Sequence, residues 1–309
     1  MMRLVAGLLA LASALGSAVL AATVFAQAPD PTLAPLWNLT VGFASPESAY
    51  YDAGSNTVFV SSINGQILEK DGNGYISRLT ATGTVVSEKW VTGLNGPKGL
   101  RSVRGVLWVA DIDEVVAIEI DSGKILSHVK IEGAKFLNDL ATAPDGTVYV
   151  SDSTALKIFE VKNGMATVFV EGGDVVEQPN GLLVEGNRLI LGTVGPAPTA
   201  AEGGGGRGGA PAAGHLFSFD RRSKQRTQLT MQPVGGIDGI ESDGKGGLLV
   251  TDVVGARLLH VSKAGDVKVL SKFPAGGADF GYVPARHLAV IPFLRTNTIA
   301  AYDLTAALK

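Results

Sequence analysis

The sequence predicts an all-β protein, a six-bladed β-propeller with four-stranded blades that is closed by its N- and C-terminal strands. Three observations support this fold class. A unit recurs six times at intervals of 40 to 58 residues, each unit contains four short apolar or alternating segments, and 40 glycines supply turns in a chain with many Val, Thr and Ile. Four strands in about 40 residues make one propeller blade.

The composition of the 309 residues excludes several classes of protein. Apolar residues make up 46 % and charged residues 18 %, which excludes intrinsic disorder as the main state. There are 26 Lys and Arg against 29 Asp and Glu, and no basic run occurs, so we expect no nucleic-acid partner. Because the chain has no cysteine, disulfides, thiolate metal sites and cysteine nucleophiles are excluded, and any metal must bind to oxygen or imidazole.

The N-terminus is typical of an export signal. Arg3 precedes an apolar run, residues 4–26, that contains Ala, Gly and Ser as well as Leu. We predict a signal peptide over residues 1–26, since Pro29 would obstruct cleavage at the next small-x-small site; an uncleaved membrane anchor is the alternative. The mature protein would be periplasmic or secreted, without stable membrane insertion, and would begin with a flexible segment over residues 27–35.

Each repeat unit begins with a polar residue and has a second apolar segment about ten residues further on. The polar residues are Glu47, Lys98, Asn138, Asn180, Asp238 and Asp279, and the second segments are residues 58–61, 107–111, 148–152, 189–192, 248–252 and 288–291. The successive spacings of the polar residues are 51, 40, 42, 58 and 41. The spacing of 58 contains a Gly-, Ala- and Pro-rich stretch, residues 195–214. We interpret this stretch as a loop insertion, either a flexible lid or a segment of no functional consequence.

The two ends of the chain supply the strands that close the ring. Residues 298–302 form a candidate C-terminal strand, and residues 36–41 are available as the outermost strand of the sixth blade. Pairing of these ends would remove exposed sheet edges. The propeller is thus predicted to span residues 36–309, with no second domain that could bind a nucleotide or a flavin.

The first strand of each blade lines the central channel, so the six polar residues should meet at one channel mouth. Five of them carry carboxylate or amide oxygens, and Lys98 is a cation. Hard divalent cations, calcium above all, prefer such oxygens. Each tripeptide alone is an ordinary turn sequence, but the shared position in the repeat predicts a metal or ligand site. Whether Lys98 and Asp279 belong to this site stays open.

Four short motifs, taken in order, resemble a known family. They are Pro46-Glu47, Leu137-Asn138-Asp139, Pro179-Asn180-Gly181 and Ile237-Asp238-Gly239. The resemblance is to the calcium-dependent six-bladed propellers of the SMP-30/gluconolactonase/regucalcin group, with the related diisopropyl fluorophosphatase and paraoxonases. It covers the chain from about Trp37 to Leu304.

This resemblance implies a set of functional residues. Glu47, Asn180 and Asp238 match metal ligands, and Asn138 matches a residue that contacts the metal or the substrate. Asp238 also matches a carboxylate that acts as general base or nucleophile. The implied activity is hydrolysis of a lactone or similar ester with Ca²⁺ or another divalent cation, which polarises the carbonyl. Asp238 would direct the attacking water, while Asn138 and Asp139 would position the small-molecule substrate.

Departures from the family pattern change the expected substrate. Phe136 stands where sugar-lactone hydrolases have an arginine, two residues before Asn138, so we expect a less polar lactone that contacts Phe136. Lys98 either forms an ion pair with Glu47 or Asp279 or orients a substrate carboxylate. The catalytic histidine pair of the paraoxonases has no match, and each histidine of this chain is expected to have a structural role. The histidines are His128, His215, His260 and His287.

Two alternative functions stay open at this point. One is a non-catalytic periplasmic propeller that binds a ligand or a protein partner and holds a structural metal, since this fold hosts many functions. The other is a phosphotriester hydrolase, which uses the same kind of site. The sequence indicates no oligomeric state.

Overall fold

A computed structural model describes residues 30–196 and 213–309. The predicted signal peptide and residues 197–212 of the predicted insertion lie outside the described residues. In chain order the strands are β1 (Trp37–Leu39), β2 (Pro46–Asp52), β3 (Thr57–Ser62), β4 (Gly74–Leu79), β5 (Val85–Leu94), β6 (Pro97–Val103), β7 (Val106–Asp111), β8 (Glu114–Glu119), β9 (Ile125–Lys130), β10 (Leu137–Thr142), β11 (Val148–Asp152), β12 (Lys157–Lys162), β13 (Met165–Glu171), β14 (Pro179–Glu185), β15 (Arg188–Thr193), β16 (Leu216–Asp220), β17 (Arg226–Gln228), β18 (Ile237–Ser242), β19 (Leu248–Asp252), β20 (Arg257–Val261), β21 (Val267–Lys272), β22 (Gly281–Val283), β23 (Leu288–Phe293) and β24 (Thr298–Asp303).

These strands form six sheets of four antiparallel strands each. Blades 1 to 5 consist of β2–β5, β6–β9, β10–β13, β14–β17 and β18–β21, each with its first strand innermost. Blade 6 consists of β22, β23 and β24, with β1 as its outermost strand. The predicted six-bladed propeller with four-stranded blades is therefore confirmed.

The chain ends close the ring as the sequence predicts. Strand β1 pairs with β24, and Trp37 lies opposite Ala301 while Leu39 lies opposite Ile299. The indole nitrogen of Trp37 donates a hydrogen bond to the carbonyl oxygen of Ala81 in blade 1, at 3.3 Å. The first strand of the chain thus ties the last blade to the first.

The chain before β1 also contacts the propeller. Of the predicted flexible segment, residues 30–35 are described and contain no strand. The backbone N–H of Lys272 donates to the carbonyl oxygen of Pro31 at 2.8 Å, and the N–H of Leu33 donates to the hydroxyl of Ser271 at 3.0 Å. These bonds attach the segment to the outermost strand of blade 5.

Each pair of neighbouring blades shares one hydrophobic core. Between blades 1 and 2, for example, Phe59 and Ile76 pack against Leu100 and Val109, and all four side chains are buried. Five further clusters join the other neighbours around the ring, the one between blades 6 and 1 included. The apolar residues of each repeat are thus buried against the next repeat, which is why one blade alone cannot form a core.

The inner strands of blades 1 to 5 carry a bulge where the polar repeat residue lies. In blade 2, Pro97 pairs with Asp111 but Leu100 pairs with Val109, so β6 has one extra residue there. Blades 3, 4 and 5 show the same shift at the start of β10, β14 and β18, and blade 1 shows a related shift at the start of β2. A bulge bends the strand and redirects side chains, and bulges are frequent beside functional sites.

Helical structure in the described residues is short. It comprises a single turn, α1 (Gly173–Val176), and two 3₁₀ turns, Pro284–Arg286 and Leu294–Thr296. Within the described ranges, no helix has the length and apolarity needed to cross a membrane.

Candidate functional site

All six polar repeat residues lie at the inner end of their blades. Glu47, Lys98, Asn138, Asn180 and Asp238 are the second residues of the five inner strands, and Asp279 precedes β22. All six are buried. The innermost strands contact one another around the ring, and a β-bridge between Ser48 and Asp279 joins the first blade to the last. The structure therefore places the predicted site residues around one channel.

The two carboxylates predicted as metal ligands influence each other. Burial raises the pKa of Glu47 well above its ordinary value of 4.5, and Asp238 raises it further, while Lys98 lowers it. Burial also raises the pKa of Asp238 to about 7; Asp279 adds to this increase, and a hydrogen bond from Asn180 opposes it. Removal of the carboxylates from water is the main cause of these shifts, and repulsion between the neighbouring negative charges adds to it.

Two oxygens of the predicted ligand set lack partners. Oε2 of Glu47 and Oδ1 of Asn180 are buried and accept no hydrogen bond from any described residue. A buried polar atom without a partner costs free energy, and it is explained when an ion occupies the space beside it. A carboxylate oxygen and an amide oxygen are donors for a hard cation, so these residues fit a divalent metal of the calcium type.

The amide group of Asn138 has a defined orientation. Its Nδ2 donates to the hydroxyl of Ser153 at 3.1 Å, and that hydroxyl donates to the carbonyl oxygen of Pro179 at 2.6 Å. Oδ1 of Asn138 accepts no hydrogen bond within the described part of the chain. This oxygen is therefore available to a metal or a substrate.

Carboxylates alone do not make the predicted site. Among the described residues, no group of three or more His, Cys, Asp or Glu side chains could hold a metal ion. The predicted ligands are two carboxylates, Glu47 and Asp238, and two amides, Asn138 and Asn180. A cation at this site would therefore need the amide oxygens as ligands in addition to the two carboxylates.

Asp139, predicted to position the substrate, links two blades. Its Oδ1 accepts the backbone N–H of Leu140 and its Oδ2 accepts that of Leu182 in blade 4, both at 2.7 Å. Burial raises the pKa of Asp139 well above its ordinary value of 3.8, Asp279 adds to this, and Arg101 opposes it. Asp139 would therefore affect a substrate indirectly, by holding β10 and β14 in place.

Lys98 is held by carbonyl oxygens and an aromatic ring. Its ammonium donates to the carbonyl oxygens of Gly96 at 2.8 Å and Ile67 at 3.3 Å, and it lies 5.0 Å from the centre of the Phe136 ring. Burial lowers the pKa of Lys98, and Glu47 counteracts this effect. Of the two sequence-based alternatives, the ion pair does not form, since no described carboxylate lies within 4.0 Å of this ammonium.

Asp279 forms the ion pair that the sequence did not assign. Its carboxylate accepts hydrogen bonds from the hydroxyl of Ser48 at 2.5 Å and from the guanidinium of Arg101 at 3.2 and 3.4 Å. Its carbonyl oxygen accepts the N–H of Ala49 at 3.0 Å. Asp279 thus joins blade 6 to blades 1 and 2 and contributes negative charge next to Asp238.

Sequence reasoning missed two charged residues deeper in the channel. Nη2 of Arg101 lies 3.7 Å from Oε1 of Glu241, and both residues line a cavity of about 270 Å³ together with Tyr50 and Tyr282. Burial raises the pKa of Glu241 to about 7, and Arg101 counteracts this. The repeat itself contained the signal, because Arg101 and Glu241 each lie three positions after the polar residue of their unit.

The four histidines make local contacts instead of joining the predicted site. The ring nitrogens pair as follows: His128 with Glu114 at 2.9 Å, His215 with Glu177 at 2.8 Å, His260 with Asp243 at 2.8 Å, and His287 with the hydroxyl of Tyr282 at 2.9 Å. This agrees with the structural roles expected from the sequence.

One cavity lies away from the channel. It measures about 590 Å³ and lies between residues 32–35 and blades 5 and 6, with Phe273, Phe293 and Tyr302 in its wall. Lys272 is the charged residue in its otherwise uncharged described lining. Since catalysis needs convergent polar groups, the channel and not this cavity is the candidate active site.

Comparison with known proteins supports the fold class. No family model matches the chain. No curated protein matches it either. Among solved structures, a gluconolactonase from Xanthomonas campestris superposes with a TM-score of 0.61 at 15 % identity, over 90 % of this chain and 96 % of that one.

Other structural neighbours are proteins of different kinds. An inactive variant of virginiamycin B lyase from Staphylococcus aureus, bound to quinupristin, gives a TM-score of 0.56 at 13 % identity, over 88 % of this chain and 99 % of that one. A chain of a nidogen/laminin complex gives 0.61 at 16 % identity, over 76 % of this chain and 88 % of that one. At these identities the likeness shows the shared propeller fold, and function has to be argued from the site.

Proposed function

We propose that this chain is a divalent-metal-dependent hydrolase that opens a lactone or a similar ester at the channel mouth. The observation that carries the proposal is the pair of buried oxygens without partners, Oε2 of Glu47 and Oδ1 of Asn180, beside Asp238. The gluconolactonase among the structural neighbours favours the same chemistry on the same fold.

The charge of the channel supports a bound cation. Its buried or nearly buried charged side chains are five carboxylates, Glu47, Asp139, Asp238, Glu241 and Asp279, and two cations, Lys98 and Arg101. Carboxylates therefore outnumber cations, and the raised pKa values of Glu47 and Asp238 show that protons are favoured where no cation offsets the charge. A bound divalent metal would take the place of these protons. Glu47, Asn180 and Asp238 would hold it, and Oδ1 of Asn138 would complete the set or contact the substrate.

Each residue has a definite role in the proposed reaction. A bound Ca²⁺ ion would supply a Lewis acid that polarises the ester carbonyl. Asp238 orients a water molecule and accepts its proton while the oxygen of the water adds to the acyl carbon. The acyl carbon–oxygen bond of the ring then breaks, and the leaving alkoxide takes up the proton, which gives a hydroxy acid. Asn138 positions the ester, and Asp139 maintains the spacing of blades 3 and 4.

The proposal includes the location of the reaction. The export signal predicted over residues 1–26 would place the enzyme in the periplasm or outside the cell. A small-molecule substrate that reaches this compartment is therefore required.

The test is hydrolysis of a panel of aliphatic and sugar lactones by the purified mature protein, with added calcium or with a chelator. We expect turnover that needs calcium and that falls by at least about a hundredfold in Asp238→Asn, since a general base contributes roughly that much. Asp266→Asn, an exposed carboxylate in the same blade, is the matched control and should keep full activity.

Three outcomes would contradict the proposal in different ways. Full activity of Asp238→Asn with folding intact would refute the assigned mechanism. Absence of turnover, combined with a higher melting temperature in calcium, would indicate a structural metal and a propeller that binds a ligand or partner. Faster hydrolysis of a phosphotriester than of any lactone would indicate a phosphotriester hydrolase.

A further inference from the structure

One loop of blade 1 contacts blade 2. The loop joins β3 to β4, and the ammonium of Lys70 binds both carboxylate oxygens of Asp113 in blade 2, at 2.6 and 2.7 Å. The N–H of Gly72 donates to Oδ1 of Asn95 at 3.3 Å. These contacts hold the loop beside the channel mouth. None of them involves an apolar side chain of the loop.

This loop presents two large apolar side chains to solvent. Ile67 is 45 % exposed and Leu68 is 50 % exposed. The carbonyl oxygen of Ile67 accepts the hydrogen bond from Lys98, so the exposed pair lies next to a residue of the channel mouth. Contiguous exposed apolar patches rimmed by polar residues mark binding sites, and Ile67 and Leu68 are candidates for part of such a patch.

Lys98 also contacts an aromatic ring. The half-buried ring of Phe136 faces the ammonium of Lys98 at 5.0 Å. Between Phe136 and the loop lies the turn after β7, where Ile112 has a φ of 58° and packs beside Gly96. A β-branched residue rarely adopts this left-handed conformation, and such strain is concentrated at functional sites. Lys98 therefore contacts the Phe136 ring directly and the loop through the carbonyl oxygen of Ile67.

We propose that Ile67, Leu68 and Phe136 form an apolar wall that binds the hydrocarbon substituent of the ester. This inference rests on the proposed function and names its substrate class, an ester or lactone with an alkyl chain. Lys98 connects the two parts of the site, because it lies at the start of the inner strand β6, as its second residue, and also contacts the carbonyl of Ile67 and the ring of Phe136. An ester whose carbonyl lies at the polar mouth can then place its chain on the wall.

The charge of Lys98 does not favour an anionic substituent. Its ammonium is fully buried and already donates to two carbonyl oxygens. An uncharged hydrocarbon needs no hydrogen bond from the wall and gains free energy when it leaves water. The occupant of the wall is therefore an alkyl chain of the substrate.

The experiment uses γ-lactones that carry unbranched alkyl substituents of increasing length, with calcium present. We expect kcat/KM to rise about two- to fourfold for each added methylene, as expected from burial of apolar surface. In Ile67→Gln and Leu68→Gln this dependence on chain length should be largely lost. Leu126→Gln changes an equally exposed leucine on β9, away from the mouth, and should retain the dependence.

The outcomes separate this inference from the proposed hydrolase activity. Equal chain-length dependence in Leu68→Gln and Leu126→Gln would overturn the apolar wall while the hydrolase stands. If no lactone is hydrolysed, calorimetry can still measure the affinity of the protein for the same series of lactones. An affinity that rises with chain length and falls in Leu68→Gln would support the apolar wall without the hydrolase activity. Affinity that is independent of chain length would overturn the wall.

A second copy of the chain is the competing occupant. Light scattering of the purified protein would show a dimer in that case. A dimer that Ile67→Gln and Leu68→Gln dissociate would assign the apolar wall to a subunit interface and overturn the proposal. A monomer in all variants supports it.

Discussion

Among the described charged residues of the channel, Arg101 and Asp279 form an ion pair, whereas Lys98 and Glu47 form none. Arg101 binds Asp279 directly and lies near Glu241, whereas Lys98 donates its hydrogen bonds to carbonyl oxygens. The carboxylate of Glu47 therefore keeps one oxygen without a partner. This contrast is the reason for locating a cation at the mouth and not in the interior.

Glu241 should make the stability of the folded protein depend on pH. Its pKa in the folded state is about 7, above the ordinary value of 4.5. Between these two pH values, the folded protein therefore keeps a proton that the unfolded chain has lost. The resulting stabilisation is full below about pH 4.5 and is lost as the pH rises to about 7.

Replacing Glu241 by glutamine should remove this dependence. As the pH rises from about 4.5 to about 8, the free energy of unfolding of Glu241→Gln should increase relative to that of the unmodified protein, by on the order of 2 kcal/mol. Urea titrations at several pH values measure this difference. Glu119→Gln, an exposed residue outside the channel, serves as control. A constant difference across the pH range would show that Glu241 does not titrate as described.

The inner strands approach one another so closely that glycine is required between some of them. A Cβ atom at Gly181 in β14 would overlap the carbonyl oxygen of Asp238 in β18. The same carbonyl belongs to a proposed metal ligand. The small residue after Asn180 therefore sets the distance between two strands that contribute to the site.

Gly181→Ala should both destabilise the protein and weaken calcium binding. Overpacking at such a contact costs about 1–3 kcal/mol, and the displaced strand moves Asp238. Thermal unfolding with and without calcium measures both effects. Gly54→Ala is the matched control, since the nearest atom to its Cβ would be a carboxylate oxygen at 3.4 Å, an ordinary contact. Equal stability of the two variants would contradict the close approach.

The individual blades could be predicted because each blade is formed by residues that are close together in the sequence. Strand positions, turns and the inner polar residue recur within each unit, and an antiparallel blade pairs segments that are neighbours in sequence. The bulges were not predicted. A bulge adds one residue to one strand, and the alternating pattern does not show on which of two successive residues this occurs.

Closure of the ring couples the two ends of the chain to the stability of the whole molecule. Trp37 lies on the closing strand, packs against the core between blades 6 and 1 and would contact any Cβ at Gly83. Its loss therefore affects both the last and the first blade.

Trp37→Ala should lower the free energy of unfolding by about 2 kcal/mol, less than for a fully buried tryptophan because this side chain is half-buried. Unfolding should stay a single transition, because each blade depends on its neighbours. Calorimetry measures both properties. Leu126→Ala, on the outermost strand of blade 2, should change the melting temperature little. A separate early transition of blade 6 would contradict the coupling.

The sequence alone was sufficient for the fold, the number of blades, the closing strand and the six polar positions of the channel. The blades and polar positions follow from a pattern that recurs in each repeat, and the closing strand follows from strand-like segments at the two ends of the chain. The partners of those residues depended on the folded ring. Arg101 binds Asp279 across 178 residues of sequence, and the loop that carries Ile67 reaches Lys98 in the next blade. Such contacts follow from the curvature of the ring and the direction of the bulges, which no local pattern encodes.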